Sequence, residues 1–465
     1  MPGTFAKGTV ETFRLLVDRS LEHLVNLDKS MVSLRTPDRI VSLSASSIGW
    51  DSEIEPDPAA AASQCWLMLN GQSDFAELKK DIEADPLIAS HLGNTVGTEL
   101  QTEHISLEKV LNRFLLDYFK SEQGRAALAH VVFDKNRSAV PEEAALSKIV
   151  SQYERAFDSD RVSVEFFTIL EGFRMEPLQV QLESNLLLEG LDTKAVVALW
   201  NSDKGVRESF PLWGFYNKSP QQIHGRLKVH IETQKLVFST GSQPEPTPKS
   251  VEIEAINSLA LATDALRLLK PGAVSMGPIF ARSNSPFLCP RTFFLPWVGS
   301  SPYGEPYSLD TADFEPLTSV VSAIRSARQT SKKQQKALLL AVDRISRSSV
   351  RIRKEDALLD VMIALEALVL SGAGDPTIRG ELRFRLSLYV ARFLARNRGE
   401  RERLYKLVRK AYDLRSKVVH GDTLDEQEKA TVIEVVNVAR QVALALLKRT
   451  SANEPPINWD SLTLQ

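Results

Sequence analysis

The residue pattern most informative about the fold reads LLDVMIALEALVL, at positions 358–370. Its apolar residues cover nearly every face of a helix, which is typical of a helix surrounded by other helices. Two carboxylates, Asp360 and Glu366, interrupt the run. A buried carboxylate is tolerated only when it is paired or protonated. The pattern therefore predicts a central helix and a basic partner on a neighbouring helix.

Apolar residues at helical spacing continue on both sides of this central helix. Short connections containing glycine separate the segments, which is typical of antiparallel neighbours in a bundle. The predicted helices span about 332–348, 355–371, 379–396, 400–419 and 425–449. We therefore predict an all-α up-and-down helical bundle over residues 325–450. A flexible tail is expected at 451–465, with Trp459 as a candidate anchor.

The region before residue 310 has a different pattern. Apolar and polar residues alternate in short segments, which indicates strands, at 162–166, 180–182 and 227–232. One helix is predicted at 256–269, and loops are predicted at 51–62 and 241–248. The fold class is therefore α+β and multi-domain. The expected units are a mainly helical region at 1–160 and an α+β domain at 161–310 for partner or substrate recognition, followed by the bundle.

The net charge of −2 is unevenly distributed. Residues 321–450 contain 27 Lys and Arg against 15 Asp and Glu, so this segment carries +12 and the rest of the chain carries −14. A basic segment of this kind favours a polyanion such as nucleic acid as its partner. An alternative is a solvated bundle surface that docks on the acidic remainder of the same chain. Composition excludes wholesale disorder, because 43% of residues are apolar and 25% are charged.

Neither export nor membrane insertion is expected. The strongest apolar run, 361–370, is short and contains Glu366. The first residues, MPGTFAK, lack the charged-then-apolar pattern of a signal peptide. Cys65 and Cys289 lie far apart and have no metal-ligand spacing. A reducing, cytoplasmic setting is the prediction.

The most informative candidate site lies at the end of the fourth predicted bundle helix. Arg415 falls on the apolar stripe of that helix, so it is expected to point inward. Arg415 and Arg385 are both candidates to neutralise Glu366. Gly421 predicts the helix end and leaves His420 in the last turn, where partial negative charge favours a protonated imidazole. The alternative is a buried ion pair that only fixes helix register.

This residue pair has a definite chemistry. A histidine that titrates near neutrality takes a proton from a ribose 2′-hydroxyl, and an arginine stabilises the charge that develops on the phosphate. That route needs no metal or cofactor and leaves a 2′,3′-cyclic phosphate and a 5′-hydroxyl. Spacing alone carries little weight, because Arg125 and His130 have the same interval. The helix end, the glycine and the basic surroundings favour the second pair.

Other signals are weaker. His224 and His230 are interpreted as surface or packing residues. The aromatic residues between 210 and 216 are expected in the α+β core rather than in base stacking. A solvated helix face is at least as good an explanation as an RNA track for one basic run, which comprises Arg325, Arg328, Lys332, Lys333, Lys336, Arg344, Arg347, Arg351, Arg353 and Lys354.

Three ordered segments of the bundle carry a likeness to a known family. They are DVMIALEAL at 360–368, Gly380-Glu381 followed by Arg385, and YDLRSKVVHG at 412–421. Together they resemble the HEPN domain of the ApeA-like group, over about residues 335–445. The block from 164 to 199 is more vaguely similar to the region that precedes such domains. Active members commonly place Asn, Asp or His after the arginine, whereas this chain has Ser416.

The resemblance implies a helical bundle that dimerises and acts as a metal-independent endoribonuclease, in a bacterial toxin or antiphage defence setting. It implies catalytic roles for Arg415 and His420 in a cleft between two subunits, with RNA as the partner. Some HEPN domains are non-catalytic, so the alternative is a sensor or assembly module that binds RNA, a nucleotide or a protein partner through the α+β domain. The expected supporting residues are Glu366, Ser416, Arg385 and Lys417.

Overall fold

The computed structural model has a mixed α+β architecture, as predicted, with a helical first region, an antiparallel sheet and a C-terminal helical region. The residues it describes are 4–26, 35–36, 55–56, 58–69, 73–92, 94–97, 102–129, 143–192, 194–196, 199, 225–238, 250–283, 285, 291–293, 305–330, 332–370, 382–459 and 461. The predicted loop at 241–248 and the aromatic residues at 210–216 lie outside them, as do His130, His224 and Cys289.

The first region packs its helices around a core of its own. That core includes Phe13, Phe114 and Tyr153, with the Phe13 and Phe114 rings stacked 4.1 Å apart. The elements are α1 (Lys7–Asn26), β1 (Arg35–Thr36), β2 (Glu55–Pro56), α2 (Pro58–Leu69), α3 (Ser73–Glu83), α4 (Pro86–Ala89), β3 (Thr95–Gly97), β4 (Thr102–His104), α5 (Leu107–Lys120), α6 (Glu122–Ala129) and α7 (Glu143–Asp158).

Helix α2 corrects the predicted loop at 51–62. The helix begins at Pro58, which is well suited to the first helical position because its fixed φ is helical and its missing N–H is not needed there. Four alanines follow at 59–62 and have the highest helix propensity. Ala61 and Ala62 are buried in the first core. The proline and acidic residues predict a loop in the sequence, but in the structure they mark the start of a helix.

The middle region is built on a six-stranded, fully antiparallel sheet in the order β12-β11-β5-β9-β8-β7. The three strand predictions are confirmed, and β5 is longer than expected. Smaller pairings join β10 to β3 and β13 to β6. The strands are β5 (Arg161–Glu171), β6 (Phe173–Met175), β7 (Gln179–Glu183), β8 (Leu186–Gly190), β9 (Gly225–Gln234), β10 (Leu236–Phe238), β11 (Ser275–Ser283), β12 (Arg291–Phe293) and β13 (Tyr307–Leu309).

Helices α8 (Ser250–Leu269) and the C-terminal set cover one face of this sheet. The predicted helix at 256–269 is part of α8. Within the C-terminal set, consecutive helices pack against each other, and the apolar α11 is buried as predicted. The set comprises α9 (Phe314–Arg328), α10 (Lys333–Ser348), α11 (Lys354–Leu370), α12 (Leu382–Leu394), α13 (Arg398–Val419) and α14 (Glu426–Ser451).

One hydrophobic core runs without interruption from the sheet into the helical region. It contains Val164 and Leu227 from the sheet, Leu259 from α8, Ile324 from α9 and Leu365 from α11. A boundary between separate domains at 310–325 stays a prediction. The shared core shows that α8 and α9 bury apolar surface against both parts.

Buried polar groups connect the two parts as well. Arg267 of α8 donates from Nε to the Val274 carbonyl at 2.7 Å and from Nη1 to Ser346 Oγ of α10 at 3.1 Å. Ser346 Oγ donates to Asp264 Oδ1 at 2.6 Å. Arg440 of α14 donates from Nε to the Arg267 carbonyl at 2.9 Å. Burial lowers the pKa of Arg440 to about 10.

Helix α14 is long and apolar enough, by composition, to cross a membrane. Its apolar residues, among them Val435, Ala439 and Leu447, are instead buried in the shared core. The core helix of a globular protein passes the same compositional test. The burial of α14 therefore matches the expectation of a helix within a bundle.

The segment after α14 is anchored and not wholly flexible. Trp459 is 2% exposed and packs on α12, with ring centroids 5.3 Å from Phe393 and 6.1 Å from Tyr389. A tryptophan buries a large apolar area, which offsets the entropy of ordering the polar residues before it. The predicted flexible tail at 451–465 is therefore corrected as far as Trp459.

Candidate functional site

The site is organised by the C-terminus of α13. His420 is the C-cap residue and Gly421 follows with φ +95°, in the left-handed region. The Gly421 N–H donates to the Val418 carbonyl at 3.0 Å and the Asp422 N–H donates to the Lys417 carbonyl at 3.2 Å. These two bonds form a Schellman motif. The predicted helix end is confirmed, and the motif holds the His420 backbone in a defined turn.

The loop after His420 is fixed from two sides. Lys417 Nζ lies 2.9 Å from both carboxylate oxygens of Glu428 on α14. Glu428 also completes a capping box with Asp425 at the start of α14. The Leu424 N–H donates to Glu355 Oε1 of α11 at 3.2 Å. Lys417, expected as a supporting site residue, therefore closes the turn between α13 and α14.

Arg415 pairs with Glu366, as the sequence predicted. Arg415 Nη1 lies 3.0 Å from Glu366 Oε1, and the two side chains are 29% and 27% exposed. The guanidinium carbon also lies 5.6 Å from the centre of the Tyr412 ring, one turn earlier on α13. The arginine is thus turned toward α11 but is not sealed from solvent.

This ion pair leaves the arginine donors available. Glu366 Oε1 accepts no hydrogen bond, and Arg415 donates none, within the part of the chain that the structure describes. A guanidinium has five N–H donors in a planar fork that matches a phosphate group. Attraction to Glu366 therefore positions Arg415 through Nη1, and no hydrogen bond from its Nη2 or Nε occurs in the described part of the chain.

Burial raises the pKa of the Glu366 carboxyl, and the nearby Arg415 charge opposes that rise. A carboxyl whose folded pKa exceeds its unfolded value binds more protons in the native state. Its contribution to the free energy of unfolding is therefore full below the unfolded pKa and is lost as pH rises through the folded pKa. Removing Arg415 raises the Glu366 pKa further, so the pH range between the unfolded and the folded pKa becomes wider.

The Arg415→Gln variant is therefore expected to lose about 1–3 kcal/mol of unfolding free energy at pH 7 and less at pH 5. Adding Glu366→Gln to it should restore most of the loss, because no unpaired charge then remains. Urea unfolding of the two single variants and the double variant at both pH values measures this. Equal losses at both pH values, or a double variant no better than Arg415→Gln, would contradict a coupled pair.

The other carboxylate of the central helix has partners that the sequence did not identify. Asp360 receives Arg344 Nη1 and Arg351 Nε, each at 2.8 Å. Arg385, the second candidate partner of Glu366, donates from Nε to the Tyr389 hydroxyl at 3.1 Å on its own helix. The requirement for basic partners is confirmed for both carboxylates. The sequence missed Tyr412, whose three-residue spacing from Arg415 places it on the same helix face.

His420 and Ser416 are exposed on the outer face of α13. Neither a hydrogen bond nor an ion pair to the His420 imidazole, from Arg415 or from another residue, occurs among the described residues. Residues five apart on a helix point about 140° from each other, which explains the separation. Within one chain, the two predicted catalytic residues are therefore adjacent in sequence but not assembled. Val419, beside His420, is 64% exposed.

The basic run from Arg325 to Lys354 is mostly paired within the chain. All six of its arginines lie within 4 Å of a carboxylate, including Arg325 with Glu183 of the sheet and Arg328 with Asp264 of α8. Only its lysines remain as open positive charges in the described residues. The solvated helix face and the acidic neighbour thus explain much of this run.

Remaining sequence candidates add little to the site. His230 is half exposed, and its Nε2 lies 3.4 Å from Glu165 Oε2 on the adjacent strand. Across the described ranges, no cluster of three or more His, Cys, Asp or Glu side chains is arranged to hold a metal ion. Burial raises the pKa of the Cys65 thiol to about 12, which favours the thiol over the nucleophilic thiolate.

Comparison with family models, curated proteins and solved structures gives no match. The resemblance to HEPN domains therefore remains an expectation from the sequence.

Proposed function

We propose that the chain is a metal-independent endoribonuclease of HEPN type that acts as a homodimer. The observation that supports it best is the end of α13, where a Schellman turn holds an exposed His420 five positions after Arg415, on a different side of the helix. The proposed setting is cytoplasmic, in bacterial toxin or antiphage defence. Residues 161–310 are proposed to recognise the partner or substrate.

The proposed reaction uses His420 as general base and then general acid. The imidazole takes the proton of a ribose 2′-hydroxyl, whose oxygen attacks the adjacent phosphorus. The bond from phosphorus to the 5′ oxygen breaks, and that oxygen receives a proton from an imidazolium. Arg415 donates to the phosphate oxygens and stabilises their charge in the transition state. The products are a 2′,3′-cyclic phosphate and a 5′-hydroxyl.

A second copy of the chain supplies what one copy lacks. Arg415 and His420 do not converge within a chain, so the proposed cleft combines the α13 end of one subunit with that of the other. The exposed Val419 supports this, because an apolar side chain beside the imidazole gains from burial against a partner.

Purified full-length protein is expected to cleave mixed RNA in the presence of EDTA. The fragments should resist extension at the 3′ end, because that end is a cyclic phosphate. A phosphatase should release no phosphate from the 5′ end, because that end is a hydroxyl. Mass spectrometry of the ends separates this from metal-dependent cleavage, which leaves 5′-phosphates. Absence of cleavage, or 5′-phosphate ends, would overturn the proposal.

The second candidate function is a non-catalytic sensor or assembly module. It is favoured by one observation, the ion pair of Arg415 with Glu366 over the Tyr412 ring, which gives the arginine a structural role. The Arg415→Gln/Glu366→Gln double variant separates the two functions. If the protein is a ribonuclease, the double variant should fold and remain inactive. If it is a structural module, the double variant should regain both stability and partner binding.

A further inference from the structure

A large cleft lies between the helices of the first region and the sheet, at the start of β5 and the end of β11. Its volume is about 970 Å³, at the upper end of the range for small-molecule sites. The walls come from α5, the start of α6, α7, the start of β5 and the end of β11. Nothing in the proposed ribonuclease site involves these elements.

Two polar helix stripes line the cleft. Arg113, Asp117 and Lys120 follow each other on one face of α5, at spacings of four and three residues. Helix α7 contributes a second stripe with the same spacings, which consists of Lys148, Gln152 and Arg155. Arg161 adds a fifth cation from β5. The lining therefore has five basic side chains against three acidic ones, which are Asp117, Glu122 and Asp158.

The walls of the cleft are held in place by hydrogen bonds. The buried Tyr153 hydroxyl donates to Asp117 Oδ2 at 3.0 Å and joins α7 to α5. Lys235 Nζ donates to the carbonyls of Ala156 and Phe157 at 3.0 and 2.8 Å, which fixes the end of α7 on the sheet. The cleft is thus formed before any ligand enters it, which reduces the entropy lost on binding.

Several lining groups have unused hydrogen-bonding or charge capacity. Ser285 is 4% exposed, and its hydroxyl has no hydrogen-bond partner. Lys148 and Arg155 have no carboxylate partner among the described residues, although Arg155 Nε donates to the Ser151 carbonyl. A buried hydroxyl without a partner is costly, so a ligand acceptor at Ser285 would recover that energy. The lining contains no aromatic ring for stacking.

We propose that this cleft binds a small molecule that carries two or more adjacent phosphate groups. Lys148 and Arg155 supply the charge on one wall. The other wall has Lys120 and Arg113, whose Nε lies 3.3 Å from Asp117 Oδ1, and Ser285 supplies a donor just after the end of β11. Adjacent phosphates span the gap between two stripes better than a single anion does. Recognition rests on charge and N–H donors, because none of the described lining residues is aromatic.

The test is calorimetric titration of the full-length chain with tripolyphosphate at fixed ionic strength, with sulfate as the reference anion. Gln152→Glu places a negative charge in the middle of the α7 stripe and is expected to weaken binding about fivefold or more. Gln152→Lys should tighten it by a similar factor. The matched control is Gln441→Glu, an exposed position on α14, which should leave binding unchanged.

Further arms identify the source of the phosphates. Tighter binding of ATP than of tripolyphosphate supports a nucleotide ligand, and equal binding supports a ligand recognised by its phosphates alone. The proposal is overturned if tripolyphosphate binds no more tightly than sulfate, if Gln441→Glu weakens it as much as Gln152→Glu, or if only an RNA oligomer binds. These outcomes are independent of RNA cleavage, because none of the variants touches α13.

Discussion

Replacing His420 with alanine should lower RNA cleavage by about 10²–10⁴-fold, the range that a general acid or base contributes. The side chain is exposed and has no hydrogen bond or ion pair in the described part of the chain, so its loss should leave thermal unfolding unchanged. Single-turnover cleavage of a defined RNA in EDTA measures the rate. His230→Ala is the matched control, since His230 is also partly exposed and lies on the sheet.

Mixing two inactive variants tests whether the cleft is shared between subunits. An His420→Ala subunit still provides Arg415, and an Arg415→Gln subunit still provides His420. If the two residues act across the interface, mixed dimers regain one intact site and part of the activity. Cleavage that persists in His420→Ala would remove His420 from the proposed mechanism, and mixed dimers as inactive as either parent would contradict a cleft shared between subunits.

The largest expected effect on stability comes from Arg267 of α8. Arg267 reaches Asp264 through Ser346, because it donates to Ser346 Oγ, which donates to Asp264, while Arg328 lies 3.6 Å from that carboxylate. Arg267→Met keeps the apolar stem but removes a nearby positive charge and leaves the buried Val274 carbonyl and Ser346 hydroxyl without that donor, at a cost of about 3–5 kcal/mol. Burial already raises the pKa of Asp264, and Arg267 and Ser346 oppose that rise. Loss of Arg267 raises the Asp264 pKa further.

The pH dependence follows from the sign of that shift. Because the folded pKa of Asp264 exceeds its unfolded value, the native state binds the extra proton, and stability falls as pH rises through the folded pKa. The Arg267→Met deficit should therefore be largest near pH 7 and shrink toward pH 4. Adding Asp264→Asn should recover much of it at pH 7. Urea unfolding provides the measurement, and a deficit independent of pH would show that packing alone is lost.

Local sequence patterns predicted those features that depend on neighbouring residues. The central helix followed from its apolar run, the end of α13 from Gly421, and the strands from alternation around Val162 and Leu227. The Glu366–Arg415 pair was also predictable, because a carboxylate within an apolar helix requires a cation. In each case the signal is local to one element; for the ion pair, it is a carboxylate within one apolar helix and an arginine on the apolar stripe of another.

Features that depend on long-range packing were not predictable in the same way. Arg325 reaches Glu183 across 142 positions, so part of the apparent RNA-binding charge is neutralised within the molecule. The shared core of sheet and bundle likewise arises from faces that a linear pattern does not pair. The cleft beside α5 and α7 was missed because its two stripes only become a site when the helices face each other. The spacing of polar residues within one helix does not indicate which other helix will face it.

The uninterrupted core between sheet and bundle bears on how such a protein can be recombined. A cut between residues 310 and 325 would divide a continuous apolar interior, so a bundle transplanted from there would expose the surface that α8 and the sheet cover. The helices of the first region have a separate interior, and the chain leaves it at the short turn between α7 and β5. Replacement of the first region should therefore succeed near residue 160, with the sheet kept together with the bundle.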